Sequence, residues 1–107
     1  MNSVAWERVS RLLGLGVRAR TAIVGVQQAR VAAQKGKVVL AVVADDASEH
    51  GKAKIVPMLR AKGIETVGGV TAASLGDVVG KGATTVVVVT DAALARGIRE
   101  AVASAKP

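Results

Sequence analysis

At 107 residues with a formal net charge of +7, the chain is sized for one small domain on a single core, and its zero cysteines leave no disulfide framework and no thiolate metal site. Phe and Tyr are absent and Trp6 stands alone, which excludes the modules that read single-stranded RNA by stacking bases on two or three exposed rings. No apolar run approaches the ~20 residues of a bilayer span and Met1 to Arg8 lacks a secretory-signal pattern, so a soluble, cytoplasmic protein without a membrane partner is expected.

Ala5, Val9, Leu12, Leu13 and Gly16 share one helical face, predicting an amphipathic helix from Ser3 to about Val17 with Trp6 as a half-buried packing residue. A brief strand, Ala22 to Val24, stops at Gly25. A helix follows from Val26 to Lys35, ended by Gly36; Val26, Ala29 and Ala33 should face inward, with Gln27, Arg30, Val31 and Gln34 opposite. The continuous apolar run Val38 to Ala44 reads as a central strand covered on both faces. Lys52 to Lys62 places Ile55, Val56 and Leu59 at helical spacing, with Pro57 either kinking that helix or lying in its first turn. Ile64 to Val67 reads as a strand and Gly68-Gly69 as a turn. Thr71 should cap a short helix carrying Leu75, Val78 and Val79. Thr84 to Thr90 is a second buried strand, and Asp91 caps a last helix with Leu94, Ile98 and Val102 inward. Short strands alternating with helices imply an α/β chain folded as a three-layer α/β/α sandwich, occupying residues 1–107 as one domain.

Charge is unevenly spread along this chain. Up to Ala44, the cations Arg8, Arg11, Arg18, Arg20, Arg30, Lys35 and Lys37 face only Glu7, whereas charges nearly balance from Asp45 onward. A local positive excess is the footprint of polyanion binding. Within that excess lies the corner Gly25-Val26-Gln27-Gln28, where a glycine pivot turns a helix's first amides outward beside two planar amide side chains. Each glutamine carries a donor and an acceptor, so it can make two directed bonds to a base edge. A structured RNA, read by shape and base edges, fits these features; the alternative is a pair of solvated glutamines on a surface helix.

Other motifs compete weakly. Gly14-Leu15-Gly16-Val17-Arg18-Ala19 matches a dinucleotide fingerprint, but it follows a helix and opens no βαβ unit. Gly76 to Gly82 departs from a phosphate-binding loop in spacing and lacks its Ser or Thr. Asp45 and Asp46 follow a buried strand and could hold Mg²⁺ for phosphoryl transfer, or simply form a turn into a helix. His50 is the only histidine, giving thin support to acid/base catalysis or a multi-histidine metal site.

Taken together, Leu12-Leu13-Gly14-Leu15, Gly25-x-x-Gln28 leading to Gly36-Lys37, Ala44-Asp45-Asp46-Ala47-Ser48, Pro57, Leu75-Gly76 to Gly80-Lys81, and Val89-Thr90-Asp91 resemble the kink-turn RNA-binding family of ribosomal proteins, most of all its bacterial YlxQ-type branch. The resemblance implies a four-stranded mixed sheet and a non-enzymatic role in binding a kink-turn, a sharply bent RNA with sheared G·A pairs, in the ribosome or another ribonucleoprotein. It implies no cofactor and no small-molecule substrate. Carried over, Gly25 is the pivot, Val26 starts the helix, Gln27 and Gln28 read the pairs, and Gly69-Val70-Thr71-Ala72 covers a flipped-out base. Arg18, Arg20, Lys35 and Lys37 are expected phosphate contacts on charge alone. Two departures stand out: Gln27-Gln28 replaces the Asn-Glu of archaeal members, and Val31 occupies the place of the family's usual lysine, with Arg30 as a partial substitute. A relative that has lost kink-turn reading, serving as a general RNA or protein-interaction module, is the alternative.

Overall fold

The computed structural model describes residues 1–104. The elements run α1 (Ser3–Ala19), β1 (Ala22–Val24), α2 (Val26–Gln34), β2 (Leu40–Val43), α3 (Glu49–Ala61), β3 (Glu65–Val67), α4 (Ala72–Val79), β4 (Val86–Val89) and α5 (Ala92–Ser104). They form the three-layer α/β/α sandwich with a four-stranded mixed sheet, ordered β1-β4-β2-β3. β4 is antiparallel to both its neighbours, pairing Ile23 with Val88 on one side and Ala41 with Val88 on the other, while β2 and β3 are parallel.

β2 and β4 are buried along their whole length because both faces of the sheet are covered, as their uninterrupted apolar runs require. Strand alternation sends Leu40, Val42, Val87 and Val89 to one face, under Val9 and Leu13 of α1, Leu75 of α4 and Ile98 of α5. Ala41, Val43, Val86 and Val88 go to the other, under Ala29, Ala32 and Ala33 of α2 and Ile55 and Leu59 of α3. Full burial of each large aliphatic side chain among these is worth roughly 1.5–3 kcal/mol. The alanine face of α2 fills little volume, so that helix lies close on the sheet.

The regular strands are shorter than the apolar runs: Leu40–Val43 rather than Val38 to Ala44, and Val86–Val89 rather than Thr84 to Thr90. Of their flanks Val38, Ala44 and Thr84 are buried while Val39 is exposed, and these residues lie outside the regular ladder, as where the Ala44 N–H donates to the Thr85 carbonyl at 2.9 Å. α3 begins at Glu49, ahead of the expected Lys52, because the Ser48 hydroxyl caps it. Pro57 therefore lies well inside the helix; the hydrogen bond it cannot make to Ala53 falls on the exposed side, where water can satisfy the carbonyl.

Strand direction gives the molecule two unlike ends. β1, β2 and β3 all run one way and β4 runs the other. One end therefore gathers the exits of β1, β2 and β3, the starts of α2, α3 and α4, and the loop entering β4. At the opposite end, α1, α2 and α3 finish and feed β1, β2 and β3.

Candidate nucleic-acid interface

Four of the five helices close their first turn with a side chain. Asn2 accepts from the Ala5 N–H at 2.8 Å, Ser48 from Gly51 at 3.0 Å, Thr71 from Ser74 at 3.1 Å and Asp91 from Leu94 at 2.8 Å. α2 is the exception: its cap is Gly25, with no side-chain hydrogen bond and no acidic residue in the first turn. Its leading amides and the positive end of its dipole stay open to a ligand. Gly25 has φ 99° and ψ 153°, a region essentially reserved for glycine. A Cβ there would meet nothing within 4 Å, so backbone conformation alone demands the glycine. The pivot is anchored, since its N–H donates to the Val86 carbonyl at 3.0 Å and its carbonyl accepts from the Ala29 N–H at 2.9 Å. Val26 packs partly into the core, whereas the side chains of Gln27 and Gln28 are exposed and make no hydrogen bond among the described residues.

Of the two glutamines, one borders a groove. Gln27, Arg30, Val31 and Gln34 line a groove of about 630 Å³ against Gly51 and Lys54 of α3, while Gln28 lies outside it. Arg30 is only half exposed and its guanidinium donates to the Lys54 backbone carbonyl, tying α2 to α3. It is thus already engaged at the place where it was expected to stand in for the lysine that Val31 replaces. Val31 is 44% exposed, an apolar side chain facing solvent. The exposed cation in this groove is Lys54, which sequence spacing does not reveal because it belongs to another helix.

The structure brings a different loop to the corner from the one expected. Lys81, Gly82, Ala83, Thr84 and Thr85 line a concavity of about 400 Å³ with Val24, Gly25 and Val26. This loop is held by the Lys81 N–H donating to the Gly76 carbonyl at 2.9 Å, the Thr84 N–H to the Ala72 carbonyl at 3.0 Å, and the Thr84 hydroxyl to the Gly82 carbonyl at 2.9 Å. Gly76 permits that return, since a Cβ on it would stand 2.1 Å from the Gly82 carbonyl oxygen. Adjacency arises because β4 pairs directly with β1, and the signal available beforehand was the small, polar composition of Gly80 to Thr85 at the entry to a buried strand.

Gly69-Val70-Thr71-Ala72 lies at the same end but does not line that concavity: the Val70 carbonyl accepts from the Asp45 N–H at 2.9 Å and the Ala72 carbonyl from the Thr84 N–H, so the loop backs Lys81 to Thr85 rather than facing Gly25. Val70 is buried in the core, Thr71 caps α4, and Gly69 packs against Met1. Asp45 and Asp46 secure this loop: Asp45 accepts from the Gly69 N–H at 3.0 Å and Asp46 from the Ala72 N–H at 2.7 Å. Both carboxylates thus act as acceptors for backbone amides, the turn-forming alternative. Among the described residues no three His, Asp or Glu side chains gather as a metal site. Gly14 and Gly16 sit within α1, and Gly76 to Gly80 form the end of α4, so neither glycine motif is a phosphate-binding turn.

The expected phosphate contacts are not at the corner either. Arg18 and Arg20 end α1, and Lys35 and Lys37 lie between α2 and β2, all exposed at the opposite end of the sheet. Near the corner itself the cations Lys52, Lys54 and Lys81 are interspersed with Asp45, Asp46 and Glu49. Chain order grouped the first set with the corner; α1 and α2, by their length and direction, carry them away from it.

No helix among the described residues is long and apolar enough to cross a membrane. Residues 7–98 match the model of the ribosomal protein L7Ae/L30e/S12e/Gadd45 family. A solved protein of unknown function from Bacillus halodurans is 31% identical, with 94% of this chain and 99% of that one covered and a TM-score of 0.79. The 15.5kD RNA binding protein of Giardia lamblia shares the fold at a TM-score of 0.78, with 20% identity over 97% of this chain and 89% of that one. No curated protein matches significantly.

Proposed function

The chain belongs to the ribosomal protein L7Ae/L30e/S12e/Gadd45 family, and from that premise we propose that it binds structured RNA without catalysis, recognising a kink-turn or a similarly bent RNA in a cytoplasmic ribosomal or other ribonucleoprotein assembly. The observation that carries the reading is the start of α2: an uncapped helix end, opened by a glycine-only turn, with two unengaged glutamines beside it. Backbone N–H groups and the dipole suit a phosphate or a base acceptor, while each amide offers a paired donor and acceptor. In this reading Gln27 and Gln28 read base edges, the loop Lys81 to Thr85 shields an adjoining nucleotide, and Lys54 supplies the cation that Val31 does not. The Giardia lamblia relative is itself described as RNA binding. Residues 1–107 act together as one RNA-binding unit.

The test compares an RNA carrying tandem sheared G·A pairs with one carrying Watson–Crick replacements, at several salt concentrations. Selective binding of the first, weakening steeply with salt, is expected. Gln28→Ala should lower affinity for the kinked RNA by roughly 1–3 kcal/mol if the amide contacts a base in bidentate fashion. Equal affinity for both RNAs favours the second reading, a family member acting as a general RNA or protein-interaction module. Its support is Val31, 44% exposed in the groove beside Gln27.

A further inference from the structure

We infer that the end of the sheet opposite the α2 start is a second polyanion-binding surface, which engages the phosphate backbone of a separate RNA duplex so that the chain bridges two RNA segments. Arg20 follows α1, Lys35 and Lys37 lie between α2 and β2, and Arg60 and Lys62 end α3. Because β1, β2 and β3 are mutually parallel, the three helices that feed them finish on one side of the molecule, and all five cations are exposed there.

None of the five makes a side-chain hydrogen bond or ion pair among the described residues. Five cations elsewhere are engaged, Arg8 with Ser104, Arg11 with Glu7, Arg30 with Lys54, Lys52 with Asp45 and Arg99 with Glu65, whereas among the described residues the side chains of Arg18, Lys54, Lys81 and Arg96 are free but do not gather on one face with the five. Of the acidic groups at this end, Glu65 is held by Arg99 and Asp91 caps α5. The alternative role for such cations is to offset helix dipoles. Three helix ends carry roughly −1.5 charges in total, too little to absorb five cations. Only Arg60 lies in a last turn; the others sit at or beyond the caps.

The face extends roughly 14 Å across the strands and a helical layer to either side. A duplex presents one phosphate charge per about 1.7 Å of its axis, so such a face meets several at once. Protein partners are anchored by apolar or aromatic side chains in pockets, and membrane surfaces favour inserted aromatic residues. Among the described residues the exposed large apolar side chains nearest these cations are Val39, Leu15 and Val31, scattered on three separate segments rather than joined in a pocket, and Trp6 lies toward the other end of α1. The choice of RNA rests on the proposed function; the charge geometry does not. One RNA seated at the start of α2 leaves this surface free, since the molecule measures 32 × 27 × 27 Å and the two lie at its opposite ends.

The experiment uses the full chain and a 20-base-pair RNA duplex without a kink-turn. The triple variant Arg20→Gln, Lys35→Gln, Lys37→Gln and the double variant Arg60→Gln, Lys62→Gln are compared with the parent, and circular dichroism verifies folding. The parent should bind the duplex at low salt. The triple variant should bind at least tenfold more weakly, with a logarithmic salt slope shallower by roughly 2 to 3, and the double variant should move the same way by about half. Kink-turn RNA should lose less than threefold in either variant. Protein held on immobilised kink-turn RNA should capture the labelled duplex, and the triple variant should not. Undiminished duplex binding in the variants, equal loss of both RNAs, or binding to vesicles of 30% phosphatidylserine but not to duplex would each overturn the inference. A parent that binds duplex through these cations but ignores kink-turn RNA sustains the second surface while refuting the proposed function.

Discussion

Gly25→Ala isolates the conformation on which the α2 start depends. At φ 99° and ψ 153° an alanine is strained, yet its methyl group would meet nothing within 4 Å. The whole cost is therefore backbone strain, about 1–3 kcal/mol, or an equivalent cost in reorienting the start of α2. For a chain of this length that lowers the midpoint by roughly 4–8 °C per kcal/mol, so a fall of about 5–20 °C is expected in a thermal melt. The control is Gly14→Ala in the interior of α1, where the nearest atom is 3.9 Å from the added carbon. There the same chemical change should stabilise by about 0.5–1 kcal/mol, because it removes glycine's helix penalty. RNA affinity measured well below both midpoints completes the test. Gly25→Ala should reduce it, since the open amides are aimed by this turn, whereas Gly14→Ala should not. A neutral or raised midpoint for Gly25→Ala, with RNA affinity unchanged, would refute the reasoning.

Four further outcomes follow from the same geometry. Val31→Lys adds a cation to the groove of Gln27 and Lys54, so filter-binding titrations should show tighter RNA binding and a logarithmic salt slope steeper by about one. Gly76→Ala drives a Cβ to 2.1 Å from the Gly82 carbonyl oxygen; chemical denaturation should show a loss of about 1–3 kcal/mol as the loop to β4 is displaced. Asp46→Ala removes the acceptor of the Ala72 N–H at 2.7 Å and should cost about 1 kcal/mol by the same measurement. Adding Mg²⁺ to the parent protein should leave its midpoint unchanged; a marked rise would revive the carboxylates as a metal site.

Element identity was legible where local pattern and burial coincide. Val9 and Leu13 lie at helical spacing and are fully buried under α5, and Val86 to Val89 is as apolar as a strand covered on both faces must be. Gly25 and Thr71 marked helix starts because glycine's freedom and a hydroxyl cap act within one turn of chain. The start of α3 was obscured by Pro57, whose helix-breaking tendency is outweighed when its missing bond faces water. The Gly69 to Ala72 loop differs for a tertiary reason: apolar and small in sequence, it turns Val70 into the core and backs the Lys81 to Thr85 loop instead of lining the concavity at Gly25.

By itself the sequence determined the elements, the glycine turn and the total charge, since each depends on neighbours within a few residues. What surrounds that turn and where the charge goes was decided by pairing. The antiparallel insertion of β4 between β1 and β2 sets Lys81 to Thr85 beside Gly25 and leaves Gly69 to Ala72 outside the concavity they form. The parallel sense of β1, β2 and β3 sends three helix ends, with Arg20, Lys35, Lys37, Arg60 and Lys62, to the opposite end. Hydrogen-bond pairing joins residues scores of positions apart, and no local pattern encodes which strands will meet.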